Sequence, residues 1–305
     1  MDQVIIGAIS LGASYSLLTT GFVLVLNATG AVNLAHGALV VTGGIFAASL
    51  GTALGVPAIV LLPVVVVAMM GIGCLLAVVA YYPFKDRSIT VVFISTISIG
   101  IILENALLMV FGPSPRVGPV LFTNGTFDTE RGSISIQTLS VIAVAAILIG
   151  GQYALFNKTR LGKRLRAVAQ DREMALALGM NVTLMIILTF GIAAALAGAA
   201  GLLFANTFYV SPGDGESYII KTYVAVALGG WGSLRGAVLG AFIVAASEVI
   251  IPAIPLILPA FTSHLPMADQ LFSSTSSTIC LYLMFLAVLF VRPQGLFGEA
   301  IQQRA

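Results

Sequence analysis

Hydrophobic positions in this chain come as long, nearly uninterrupted runs, at residues 4–26, 38–54, 58–82, 89–111, 136–156, 184–206, 237–258 and 279–291. These runs are read as membrane-spanning helices, because about 20 apolar residues in a helix cross the hydrocarbon with every backbone group paired internally. A ninth run, 218–228, is too short for an ordinary span and abuts Gly229-Gly-Trp-Gly-Ser-Leu-Arg-Gly236. The pattern predicts a re-entrant or interrupted helix there. The expected fold is therefore an all-α polytopic membrane protein of about eight transmembrane helices plus one short re-entrant or interrupted helix, a single transmembrane domain over residues 1–305.

Composition agrees: 59% of the 305 residues are hydrophobic, 9% are charged, and the mean hydropathy is +1.07. A soluble chain of this size has no way to cover so much apolar surface. Cys74 and Cys280 both fall in apolar runs without metal-ligand spacing and are read as packing residues. Met1-Asp-Gln carries no basic region ahead of the first run, unlike a cleavable signal, so the first helix is expected to stay. The small-residue stretch Ala193-Ala-Ala-Leu-Ala-Gly-Ala-Ala-Gly201 suits close helix contact. Asn33-Leu-Ala-His-Gly-Ala-Leu-Val-Val-Thr-Gly43 and Ser233-Leu-Arg-Gly-Ala-Val-Leu-Gly-Ala241 hint at an internal repeat, each opening an apolar run after a Gly-containing break.

The net charge of +2 matters less than where the basic residues lie. None occurs in the first 84 positions; Lys85 and Arg87 follow the third run, six lie between Lys158 and Arg172, and Arg292 and Arg304 follow the last run. Placing these three regions in the cytoplasm leaves the N-terminus and residues 112–135 outside. The scheme closes only if the chain returns inward between Tyr209 and Arg235, a task assigned to the 218–228 run. The Ser- and Thr-rich segment 262–278 is then an outer loop, serving either to receive a partner or as a plain connector.

The most charged segment, Leu161 to Gly179, sits between two apolar runs. Leu161, Leu165, Val168 and Ala169 recur at helical spacing, Arg172 interrupts the stripe, and Ala175 and Leu176 follow; Lys163, Arg164, Arg166, Asp171 and Glu173 occupy the other faces. Such a helix suits either the surface of an anionic lipid layer or a soluble partner. The small residues of Glu173-Met-Ala-Leu-Ala-Leu-Gly179 favour a partner, with Gly179 as a C-terminal cap.

This segment resembles the coupling segment of ABC importer permeases. Together with Asn33-Leu-Ala-His-Gly37, Gly229-Gly-Trp-Gly-Ser-Leu-Arg-Gly-Ala-Val-Leu-Gly-Ala241 and the terminal Val291-Arg-Pro-Gln-Gly-Leu-Phe-Gly298, it resembles the branched-chain amino acid permease family of the LivH type over the whole chain. The general importer motif begins with Glu-Ala-Ala, whereas this chain has Gln170-Asp171. The resemblance implies a second related permease subunit, two cytoplasmic ATPases carrying ATP and Mg, and a periplasmic substrate-binding protein in a bacterial inner membrane. No nucleic acid is expected as a partner. It also implies that residues 157–182 are the coupling segment, with Arg164, Arg166, Asp171, Glu173, Ala175, Leu178 and Gly179 facing the ATPase.

This chain is expected to bind no cofactor, because it lacks the Gly-x-x-x-x-Gly-Lys-Ser/Thr loop that cradles phosphates; no catalytic or metal-ligating set is assigned. Candidates for the translocation path are Asn27, Asn33, His36, Glu104, Asn105, Gly229, Gly230 and Glu248, since polar groups at membrane depth are costly unless they face a cavity or a partner. For His36, Glu104 and Glu248 the competing role is an interhelical hydrogen bond. Lys221 and Arg235 flank the short run and are candidate partners for a carboxylate. Three readings remain. One is an ATP-driven importer subunit for branched-chain or related amino acids; another is an ion-coupled secondary transporter using Glu104 or Glu248; the third is a passive channel, which the dense helix-packing Gly and Ala do not exclude.

Overall fold

A computed structural model describes residues 2–123, 125–129, 132–257, 271–292 and 294–297. Eleven α-helices are described: α1 (Asp2–Thr29), α2 (His36–Leu54), α3 (Ala58–Leu76), α4 (Ile89–Phe111), α5 (Ile136–Lys158), α6 (Arg160–Gln170), α7 (Arg172–Ala177), α8 (Val182–Thr207), α9 (Gly215–Gly229), α10 (Leu234–Ile257) and α11 (Ser274–Val291). Helix α3 runs on through a π turn, Ala77–Tyr81, and a 3-10 turn, Tyr82–Phe84. Eight helices are long and apolar enough to cross a membrane, and they match the eight runs. Helix α9, at 15 residues and about 22 Å, is the short helix between them.

Helices α1, α2 and α8 form the centre, while α3, α4, α5, α10 and α11 leave wide apolar faces outward. A helix apolar all round either lies in a core or faces lipid, so position in the bundle decides which side chains are buried. Small residues set the central spacing. A Cβ at Gly43 would strike the Gly198 backbone, and α2 and α8 therefore touch main chain to main chain. The Ala193–Gly201 stretch is thus a packing surface.

The two ends of the bundle are tied by distinct contacts. At one end Gln3 donates to the Ser133 carbonyl (2.7 Å), Ala58 N–H to Val120 (2.9 Å), and Arg116 and Val210 exchange backbone bonds of 3.0 Å. Residues 112–135 there include an antiparallel hairpin, β1 (Thr126–Thr129) and β2 (Gly132–Ser135), which the apolar-run pattern does not predict. At the other end Tyr82 bonds Thr183 (3.1 Å), Asn27 reaches Gly232, and Leu296 and Phe297 N–H groups cap the Leu228 and Gly229 carbonyls (2.8 and 2.9 Å). Lys85, Arg87, the six basic residues from Lys158 to Arg172 and Arg292 gather at this second end, so the alternating scheme closes with α9 making the return. Arg304 and residues 262–270 of the Ser- and Thr-rich segment lie outside the described residues.

Two details differ from the sequence reading. The charged segment is two helices, because Asp171 is extended (φ −153°, ψ 107°) and its side chain caps α7 at Met174 N–H (2.9 Å). Cys280 is exposed, so within this chain it packs little, whereas Cys74 is partly buried.

Candidate functional site

Helix α1 ends at Thr29, yet α2 does not start beside it. His36 Nε2 lies 3.0 Å from the Leu18 carbonyl, about 16 Å back along α1. Residues 30–35 therefore climb back into the bundle as non-helical chain, and α2 begins near its middle. Freed backbone groups at membrane depth need partners, and several find them here. Ala31 N–H reaches Thr29 Oγ1 (3.1 Å), Leu34 N–H reaches Thr96 Oγ1 on α4 (3.2 Å), and Ala35 N–H reaches Asn33 Oδ1 (3.2 Å).

A second break mirrors the first. Residues 208–214 descend from the Arg116–Val210 pairing, Ser211 N–H bonds Asp214 Oδ2 (2.8 Å), and α9 then starts at Gly215. The beginnings of α2 and α9 meet: a Cβ at Gly37 would collide with the Gly215 carbonyl, and one at Gly215 with the Glu104 carboxylate. Helices α2 and α9 thus open at a common point within the bundle, beside α4. The sequence hint paired the starts of α2 and α10. Both do open after a break, but α10 starts at the end of the bundle and α9 is the closer counterpart of α2.

The sequence-chosen residues separate into groups here. Asn33 and His36 are buried in the first break, and Glu104 stands where the two helices open. Asn105 turns away, exposed and bonded to its own helix at Ile101 (2.8 Å). Asn27 donates to Gly232 (2.9 Å), fastening the first break to the Gly-rich turn. Gly229 packs so closely on α10 that a Cβ would strike Gly236, and Gly230 (φ +117°) makes the turn after α9. These two glycines hold the α9–α10 seam. Glu248 accepts from Lys221 Nζ (2.6 Å) and from the Tyr15 hydroxyl (2.9 Å). Of the two cations flanking the short run, Lys221 is therefore its partner. Arg235 instead borders a separate groove between α1, α5 and α10. Among the described residues no group of three or more His, Cys, Asp or Glu is placed to hold a metal ion.

The charged segment forms a second candidate site at the basic end of the bundle, where the first break begins. Leu165 and Val168 of α6 are buried, as their spacing predicted, and Arg164 and Arg166 are exposed, Arg166 bonding Asn157 (3.1 Å). In α7 Ala175 is buried, Glu173 is exposed, and Met174 and Leu176 stand 58% and 59% exposed, with Leu178 at its C-cap 70% exposed. Gly179 (φ +75°) ends the helix, with its N–H on Leu176 (2.9 Å) and Met180 N–H on Ala175 (3.0 Å). The residue that sequence reasoning missed is Arg172. Its guanidinium donates through Nε (3.1 Å) and Nη2 (2.5 Å) to the Ala28 carbonyl, one of the last of α1. It binds α7 directly to the edge of the first break.

Comparison with known proteins places this architecture. The profile described as "Branched-chain amino acid transport system / permease component" matches residues 4–290. The chain belongs to this family. The permease is 27% identical over 310 residues to the high-affinity branched-chain amino acid transport system permease protein BraD of Pseudomonas aeruginosa, covering 97% of this chain and 95% of that one. It is 29% identical over 312 residues to the corresponding permease protein LivH of Escherichia coli, with the same coverage. Among solved structures, PsaBC from Streptococcus pneumoniae in complex with Fab aligns with a TM-score of 0.47 at 16% identity, covering 95% of this permease and 92% of that chain. The permease is a multi-pass membrane protein with the helical fold expected from its apolar runs.

Proposed function

We propose that this permease is one of two related membrane subunits of an ATP-driven importer that carries branched-chain or related amino acids into a bacterial cell. The observation that carries the reading is the α7 segment: three exposed apolar side chains on a helix turn capped at both ends, tethered by Arg172 to the end of α1. An apolar patch at the basic end of a membrane protein fits a soluble partner better than it fits water, and the coupling partner is a pair of cytoplasmic ATPases that hold ATP and Mg. The names of the relatives supply the solute class. The basic end faces the cytoplasm and the N-terminus the periplasm, where a substrate-binding protein delivers solute to the end bearing residues 112–135.

In this mechanism the permease makes and breaks no covalent bond. ATP-driven closure of the ATPases moves α7, Arg172 passes the displacement to Ala28, and the breaks at 30–35 and 208–214 let α2 and α9 tilt so that access reverses. Differential contact with the two states is the only way a partner shifts such an equilibrium, and α7 is the element able to make it. Glu248, already bonded to Lys221 and Tyr15, acts as a fixed partner rather than a proton carrier. A photo-crosslinking side chain at Leu178 tests the docking: it should capture the ATPase subunit in the assembled complex, whereas capture of lipid alone would refute the assignment.

A further inference from the structure

Between α1, α8, α9 and α10 lies a cavity of about 330 Å³ to which Tyr15, Phe204, Asp214, Tyr218, Lys221 and Glu248 contribute. This volume falls at the lower end of the range for small-molecule sites. Its composition sets it apart from the rest of the bundle, because three charged side chains and three phenols, those of Tyr15, Tyr209 and Tyr218, converge where the neighbouring helices are apolar. One wall is aromatic: Phe204 and Tyr218 stack with centroids 5.0 Å apart, and Tyr15 tilts against Phe204 at 5.2 Å. The Lys221–Glu248 pair adjoins this wall through the Tyr15 hydroxyl, which donates to Glu248 (2.9 Å).

That pair cannot face hydrocarbon. Lys221 and Glu248 keep 18% and 32% of their side-chain surface accessible, and each lies near the middle of a membrane-depth helix. A charge at that depth exposed to lipid costs about 2.5–3.5 kcal/mol or more. This flank therefore meets water or the second subunit. A further cavity of about 380 Å³, lined by Ser274, Ser277, Thr278 and Tyr282 of α11, borders the same pair from the other side. One ion pair thus lines both cavities.

The pair also has unused capacity. An ammonium has three donors, and Lys221 spends one on Glu248. Asp214 has one oxygen on Ser211 N–H, and the Tyr218 hydroxyl has no hydrogen-bond partner among the described residues. We infer that this cavity is a binding site for the zwitterionic head of an α-amino acid in transit, the carboxylate going to Lys221 and Tyr218 and the ammonium to Asp214 and Glu248. The apolar side chain of the solute then lies against Phe204, Phe208 and Leu11. A neutral amide or a sugar satisfies neither charge, so the site selects by backbone charge whatever the binding protein delivers. The inference rests on the importer reading and adds to it the place and chemistry of recognition.

The test uses the assembled complex with Cys74→Ala and Cys280→Ala, and with Ser217→Cys, which lines the cavity, as a reporter for a water-soluble thiol reagent. At ten times its Kd, leucine should slow labelling about tenfold. Leucinamide, lacking the carboxylate, and isocaproate, lacking the ammonium, should protect far less at the same concentration. Lys221→Met should weaken protection by leucine about tenfold to a hundredfold, and Tyr218→Phe, which alters no bond within the described fold, should weaken it in the same direction. Leucine uptake by the parent complex is followed in parallel. Uptake without protection, equal protection by the three compounds, or a cysteine that never labels in a transporting complex would overturn the inference. Protection without uptake would instead sink the importer reading and leave the site standing.

Discussion

Replacing Arg172 by Ala removes the one side-chain hydrogen-bonded link between α7 and the end of α1 among the described residues. Two charged donors, at 3.1 and 2.5 Å, converge on the single carbonyl of Ala28. A hydrogen bond from a charged group contributes about 1.5–3 kcal/mol. Two donors sharing one acceptor count for less than twice that, and partial exposure of Arg172 lowers the figure further, which leaves about 2 kcal/mol for the link. At 1.4 kcal/mol per factor of ten, a displacement of α7 should then be felt at the first break roughly tenfold to thirtyfold less. The assay is reconstitution with the partner subunits and paired measurement of ATP hydrolysis and leucine uptake. Hydrolysis and subunit association should survive while uptake per ATP falls by about that factor. Arg172→Lys, which keeps a charge but loses the fork that reaches the carbonyl twice, should recover part of the loss. Wild-type uptake per ATP in Arg172→Ala would refute the transmission route.

Three further outcomes follow from the same contacts. Gly43→Val should abolish accumulation of folded permease, because its side chain meets the Gly198 backbone and overpacking of about 1–3 kcal/mol or more has no flexible neighbour to absorb it; Gly71→Ala, in open space on α3, should leave accumulation in the membrane unchanged or raised. Met174→Ser with Leu178→Ser should leave the permease folded, since both side chains are mostly exposed, yet weaken ATPase association by about tenfold or more, as measured by co-purification, if they are anchors of that interface. Gly179→Val should lower coupled transport by straining the left-handed cap at φ +75°, at a cost of about 1–2 kcal/mol, with Gly179→Asn tolerated better.

The apolar runs located every spanning helix, and the short run beside Gly229 correctly marked α9, because length and hydropathy are properties of the chain alone. What they did not reveal were the helix faces. A helix apolar on all sides has no stripe to read, so nothing in the sequence distinguished central α8 from peripheral α4, or showed Asn105 turning away from its neighbour Glu104. The break at Asp171 had a local signal, an Asp three residues before Met174 in capping position, that the continuous charge pattern obscured. Two links were illegible in principle: Arg172 to Ala28, across 144 residues, and Tyr15 to Glu248, across 233. Both depend on how helices dock. The re-entrant start of α2 was marked by its polar residues, Asn33 and His36, but its depth became visible only through the contact with Leu18.

The central claim is coupling of solute movement to ATP through this permease, and the most direct measurement is uptake of radiolabelled leucine into liposomes holding it with its partner permease, the ATPases and the binding protein. Uptake should require both ATP and the binding protein and persist when a proton gradient is collapsed. Uptake without ATP that vanishes with the gradient would contradict it.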